Sequence, residues 1–399
     1  MANMKNGLLK NLSPQDRYNS KFSFYSYFIT AVFMVIIGIV IPFLRDEYGL
    51  NYSESGLLIS AQTFGVMLGC LCGQIFVALI GRVKANMLFR ILLAAGITAI
   101  AFCGNYVFLI FCFLLAGFSR GCITNYHTDL TVHIRGGNKN VYYVQQIFVG
   151  TGMLVMPFIS NFIVYNFGPY TWHAQVVALA AMFGIAAFLA RRLNFTENKS
   201  SENKGVKSLG FFREPLFWII TILLFFYQGA EACTMNWMPT FFIDSNVIDS
   251  DFSVMLTALM WVALLTGRII MLKTADKVPD GLSLAAICLI GAVSGFIMVS
   301  QHTAVGMIAG MMGVGFGISG VYGLCVFMLN DICSRYTLAI TAFLAIANLG
   351  GSVFPFIIGV VSDAQGNRTA MYVIPAVITV MFIMAVINIF YRKRLEKAA

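Results

Sequence analysis

From end to end the sequence alternates between apolar runs of about twenty residues and short polar turns, a pattern that fits a membrane far better than water. The runs fall near 22–44, 55–80, 86–103, 106–134, 140–165, 168–190, 214–243, 253–275, 281–300, 303–330, 336–362 and 368–391. One helix needs roughly 20 apolar residues to cross the hydrocarbon core, so the spacing predicts twelve transmembrane helices. Composition leaves no room for anything else: 59% of the 399 residues are hydrophobic and 11% charged, against roughly 45–50% and about 25% in soluble domains. The expected fold class is an all-α membrane protein without a separate aqueous domain.

A net charge of +9 could suggest a nucleic-acid partner, but the basic residues are spread through the short turns, where they orient a membrane protein. Of the 26 Lys and Arg, 22 are placed on one side, Arg90 at the start of the third run and Lys273 at the end of the eighth among them; Arg45 and Arg368 fall opposite, and the remaining two, Arg120 and Arg268, are placed within the membrane. Both termini are therefore expected in the cytoplasm, with the lipid bilayer of the cytoplasmic membrane as partner and no nucleic acid. The first run is longer than a signal-peptide core and lacks a small-residue cleavage site, so it is expected to remain as a helix. Nine cysteines form neither a CxxC pair nor a Cys/His cluster with zinc spacing, so no metal is expected.

The longest polar stretch, at 194–207, predicts a cytoplasmic linker (194–210) between a six-helix bundle at 1–193 and a second at 211–399. Sliding one half over the other by 198 residues superposes Gly69 on Gly267, Gly117-Phe118 on Gly315-Phe316, Gly152 on Gly350, and Pro157-Phe158 on Pro355-Phe356. A single ungapped offset across three pairs of runs indicates a parallel tandem repeat, hence two pseudo-symmetric bundles.

After the second run stand Gly81-Arg82 and Lys84, and after the eighth Gly267-Arg268 followed by Asp276-Lys277. In these features the chain resembles the major facilitator superfamily over nearly its whole length. That family's gating motif is Gly-x-x-x-Asp-Arg-x-Gly-Arg; its acidic position falls here on Ala78 and its first basic one on Leu79, while the second copy retains an acid. The YQGAE segment at 227–231, Asn236-Trp237 and Gly267-Arg268 are similar to the branch containing fucose–proton and related sugar symporters. The resemblance implies two bundles rocking about a central cavity that holds a small polar solute. It implies gating roles for Gly81, Arg82, Lys84, Arg268, Asp276 and Lys277, with Trp237 in the outer gate or the aromatic belt. Fucose members carry acids on their first and fourth helices; here the first run has none and the fourth has Thr124-Asn125.

An ionisable side chain at membrane depth is costly and is a functional candidate by default. Asp129, Glu231, Arg120, Arg268 and His127 form this inventory, with Arg90 counted beside Arg82 and Lys84 among the cytoplasmic charges. One repeat later, Arg120, Asn125, His127 and Asp129 become Ile318, Gly323, Cys325 and Phe327, so the fold does not demand the polar set. At 100° per residue, Arg120, Thr124 and His127 share one stripe of the fourth run, while Cys122, Asn125 and Asp129 lie nearly opposite. The Arg120 stripe is expected to line the cavity. Asp129 is expected either to pair with Arg82 or Arg135 at a cytoplasmic gate or to take part in coupling.

On the seventh run Tyr227, Gln228, Glu231 and Thr234 share a polar stripe. Glu231 is the first candidate for the coupling carboxyl; a permanently paired structural Glu is the alternative. Tyr142, Gln145, Gln146, Asn236, Tyr322 and Asn348 supply amides and rings suited to sugar hydroxyls and C–H faces, or equally to interhelical hydrogen bonds. An Arg120 facing the cavity would suit an anionic solute such as a sugar acid. The GxGxxG match at 315–320 lies inside an apolar run with no preceding strand, which points to close helix packing, not dinucleotide binding. The expected function is secondary active transport of a small polar solute, as proton-coupled symport or alternatively as export of metabolites or drugs. A proton or sodium gradient would supply the work, with no cofactor and no enzymatic activity, in a monomer.

Overall fold

The computed structural model describes residues 13–133, 139–194, 209–247, 250–274, 278–336 and 339–398. The first six spans are α1 (Pro14–Tyr48), α2 (Tyr52–Ile80), α3 (Arg82–Phe102), α4 (Tyr106–His133), α5 (Lys139–Phe167) and α6 (Trp172–Ala190). After the linker come α7 (Pro215–Ser245), α8 (Ser250–Thr274), α9 (Asp280–Ser300), α10 (Ala304–Gly317), α11 (Val321–Met328) and α12 (Asn330–Arg335). The chain closes with α13 (Ala339–Gln365), α14 (Asn367–Ala370) and α15 (Val373–Ala398). Among the described residues, eleven helices are long and apolar enough to cross a membrane, and a shorter apolar segment, Ala258–Met271 within α8, completes the twelve-span pattern. Large apolar side chains point outward, with Phe102 72% and Val305 79% exposed, as a lipid-facing surface requires.

Two elements differ from the apolar runs. α1 begins at Pro14, well before the run that starts near 22, because its polar first turns have their own partners. Ser13 Oγ accepts from the Asp16 amide at 3.1 Å and donates to the Asp16 carboxylate at 2.7 Å, a reciprocal N-terminal cap. Gln15, Tyr18 and Asn19 then donate to the carbonyls of Arg192, Leu189 and Asn194 at 3.0, 2.6 and 2.9 Å. These carbonyls lie in the last turn of α6 and just beyond it. The run at 303–330 is divided: α10 ends at Gly317 and α11 starts at Val321. Gly317 lies backbone to backbone against Gly291 of α9, and glycine holds a helix weakly. Close packing thus accounts for the GxGxxG match.

The contacts group the chain into two compact units, Met1–Ile37 with Phe64–Ser200, and Gly38–Thr63 with Ser201–Ala399. The second unit therefore includes the end of α1 and the start of α2. Within each unit the repeat reappears as packing. A Cβ on Gly69 would overlap the Phe118 carbonyl, joining α2 to α4, and one on Gly267 would overlap Ser319 and lie 3.2 Å from Phe316, at the end of α10. Phe118 and Phe316 are themselves partners at the same offset. Gly152 of α5 faces the Phe28 carbonyl of α1, and Gly350 of α13 faces the Phe225 carbonyl of α7. The glycines recur because both bundles need the same close crossings. Pro355 adds a further consequence: lacking an N–H, it frees the Gly351 carbonyl, which accepts from Thr63 Oγ1 at 2.9 Å.

Candidate functional site

The polar stripe of α7 forms one centre. Tyr227, 2% exposed, donates its hydroxyl to Glu231 Oε1 at 2.7 Å across one helical turn. Gln228 Nε2 donates to Asn348 Oδ1 of α13 at 3.1 Å, and the Asn348 amide donates to the Leu344 carbonyl at 2.8 Å. The rings of Tyr227 and Tyr322 lie 6.5 Å apart. α7, α11 and α13 thus bring one carboxyl, two phenols and two amides together. Glu231, Gln228 and Asn348 stay half-buried, while Arg268 and Tyr322 are exposed. Thr234 is buried and donates to the Ala230 carbonyl at 2.6 Å, so this member of the stripe is held by its own helix. Asn236 is likewise buried and donates to the Ala232 carbonyl at 2.7 Å.

At the end of the second unit that carries the α1–α2 turn, Asp244 is a hub. Its carboxylate accepts from Arg45 Nη2 at 3.3 Å, from the Tyr52 hydroxyl at 2.7 Å and from Asn367 Nδ2 at 2.8 Å. The Arg45 guanidinium lies 4.5 Å from the Tyr52 ring centroid. Beneath it Trp237, fully buried, stacks on Tyr52 at 6.2 Å and donates to the Pro355 carbonyl at 3.2 Å. This burial separates Trp237 from a lipid-facing belt. Nearby, Asp363 accepts from the Tyr52 and Ser53 amides at 2.9 and 2.7 Å, an anion on the N-terminus of α2. Arg45, Asp244, Tyr52 and Asp363 were not singled out from the sequence, where they read only as loop and helix-end charges or aromatics.

In the first unit the two stripes of α4 do face different ways. Cys122 Sγ contacts the Gly69 carbonyl at 3.4 Å, and Asn125 Nδ2 donates to the Cys70 carbonyl at 2.6 Å, so this stripe packs on α2. On the other stripe Thr124 is exposed and Arg120 half-buried. His127 departs from them: it is 2% exposed and bonded to Ser26 of α1 and to Arg90 of α3. Gln145 is also fully buried and donates to Ser23 Oγ at 2.9 Å. Both residues therefore join helices inside the bundle in this structure. Arg90 requires a correction: it is not a cytoplasmic surface charge but is fully buried. Its position inside the predicted 86–103 run was the signal that could have found it.

Gly81, at φ 83°, forms the turn into α3, with Arg82 half-buried and Lys84 exposed. The left-handed conformation there suits glycine. Asp129, Tyr142, Gln146, Asp276 and Lys277 lie outside the residues whose side chains the structure describes.

A tandem pair of helical bundles with a few polar side chains set among apolar spans defines a membrane transporter. The family model of the Major Facilitator Superfamily matches residues 23–333, and the chain belongs to that family. The glucose/mannose transporter GlcP of Bacillus subtilis is 20% identical over 358 residues, covering 85% of this chain and 86% of the relative. Among solved structures, the nucleoside transporter NupG matches with a TM-score of 0.76 at 11% identity, covering 93% of this chain and 99% of that one. The E. coli fucose:proton symporter FucP matches with a TM-score of 0.63 at 17% identity, covering 92% and 98%. The protein is thus a multi-pass membrane transporter of a small-molecule solute.

Proposed function

We propose that this protein is a proton-coupled symporter that carries a sugar or sugar-like polar solute into the cell by alternating access. It would sit in the cytoplasmic membrane with both termini inside and the α1–α2 turn outside. The observation that carries the reading is the Tyr227–Glu231 pair on the same stripe as Gln228, which bonds Asn348: a half-buried carboxyl bonded to a phenol, with an amide beside it on the helix. A carboxyl whose charge depends on a phenolic donor and on water access is suited to exchange a proton as the site changes sides. The amides and rings offer donors, acceptors and flat apolar faces, the chemistry a sugar presents. The glucose/mannose relative supports the same solute class. Export of metabolites or drugs is the competing direction, and sodium the competing ion.

Arg120 favours a second solute class. Its half-buried guanidinium on the α4 stripe with exposed Thr124 would bind a carboxylate with two parallel hydrogen bonds, as in a sugar acid.

The test is counterflow and pH-driven uptake in liposomes with neutral sugars, sugar acids and organic anions, for wild type, Glu231→Gln and Arg120→Ala. Glu231→Gln is expected to keep counterflow and lose accumulation driven by a proton gradient. Full accumulation by that variant would overturn the coupling role. Neutral-sugar exchange that survives Arg120→Ala supports the sugar reading, whereas uptake confined to anions and lost in Arg120→Ala supports the sugar-acid reading.

A further inference from the structure

Arg90 lies in the interior of the first unit with 0% exposure. Its Nε donates to Asn86 Oδ1 at 2.6 Å and its Nη2 to His127 Nε2 at 3.3 Å, while the Phe22 ring sits 4.9 Å from the guanidinium carbon. Arginine cannot lose its proton in a protein, so His127 Nε2 must be the acceptor and the imidazole is neutral with its proton on Nδ1. The Ser26 hydroxyl donates to the same Nε2. Every one of these partners is neutral, and none cancels the charge.

A carboxylate would cancel it. Among the described side chains of Met1–Ile37 and Phe64–Ser200, Asp16 is the only one. It is engaged in the cap of α1 with Ser13 and forms no ion pair with Arg90. Meanwhile Arg90 Nη1 and Asn86 Nδ2, both buried, have no hydrogen-bond partner among the described residues. A whole positive charge with unused donors, enclosed by α1, α3 and α4 at membrane depth, is strongly unfavourable unless an anion meets it.

We infer that Arg90, with Asn86 beside it, is a binding site for a small monovalent anion inside the N-terminal bundle. The guanidinium supplies the charge and the Nη1 donors, and the side chain of Phe22 covers its face; with Arg90 fully buried, only a compact ion is expected to be admitted. Two sources share this chemistry: an inorganic halide, and a small carboxylate. The site is separate from Arg120, and it does not rest on the direction, solute or coupling ion of transport.

Thermal unfolding of the purified full-length protein tests it at constant ionic strength, with sodium gluconate replaced stepwise by chloride or by formate. Wild type is expected to show a saturable rise of several degrees in Tm. A response to chloride assigns an inorganic anion; a response to formate alone assigns a carboxylate. Arg90→Gln is expected to abolish the response. Should that variant fail to fold, Asn86→Asp carries the test, because it places a carboxylate of nearly the same shape on Arg90 Nε. Asn86→Asp should raise Tm in gluconate and flatten the dependence on chloride and formate. Wild-type Tm indifferent to both anions, or a response that persists in Asn86→Asp and vanishes in Arg120→Gln, would overturn the assignment.

Discussion

Replacing Gly350 by alanine is expected to reduce the yield of folded protein severalfold, whereas the same change at Gly184 or Gly323 should leave it unchanged or raise it. A Cβ at Gly350 would overlap the Phe225 carbonyl oxygen, a backbone atom that no rotamer change can move aside. α13 and α7 would have to separate, which places the cost near the top of the overpacking range, about 3 kcal/mol. A loss of that size shifts abundance severalfold through quality control. At Gly184 of α6 and Gly323 of α11 nothing lies within 4 Å of the added carbon. There the only effect is the better helix propensity of alanine, up to ~1 kcal/mol in favour. The repeat sharpens the expectation: Gly69→Ala, which would overlap the Phe118 carbonyl between α2 and α4, should fail as Gly350→Ala does. Size-exclusion profiles of detergent-solubilised protein would measure it. Equal yields for Gly350→Ala and Gly184→Ala would refute the close-crossing account.

Asp244→Ala is expected to unlatch the end of the second unit that holds the α1–α2 turn. The carboxylate gathers Arg45, Tyr52 and Asn367, and the ion pair is largely screened from water, with side-chain exposures of 14% for Arg45 and 21% for Asp244. Hydrogen bonds to a charged group contribute roughly 1.5–3 kcal/mol each. Losing even one would shift an open–closed equilibrium by about tenfold or more. Thr240 lies one turn earlier on α7 and is 1% exposed, so a Thr240→Cys reporter, with the native cysteines replaced, should be labelled by a membrane-impermeant maleimide at least tenfold faster once Asp244 is alanine. Asp244→Asn retains one acceptor oxygen and should fall between the two. Labelling that does not change in Asp244→Ala would show that the hub does not hold this end closed.

The spans were legible because a bilayer imposes a length: each apolar run must reach across the same hydrocarbon thickness, and that requirement is written locally. The tandem repeat was legible for a related reason. Glycines such as Gly69 and Gly267 recur at one offset because both bundles close the same crossings. The polar stripe of α7 also survived contact with the structure in part, since Tyr227 and Glu231 are one turn apart and bond directly, while Thr234 of the same stripe turned to its own backbone.

Periodicity could say which residues share a face, yet not what that face meets. His127 and Thr124 lie on one stripe, and the structure buries the first against Ser26 and Arg90 while exposing the second. Arg90 was within an apolar run, but only the packing of α1, α3 and α4 turned it from a surface charge into an enclosed one. Arg45 and Asp244 are 199 residues apart. The sequence by itself determined the membrane environment, the number of spans and their duplication, because these depend on the composition and repetition of single segments. Which charges meet, which glycines touch backbone and which histidine stays neutral were decided by the tertiary structure, because pairing depends on how helices distant in the chain cross, and a period of 3.6 residues carries no information about the partner.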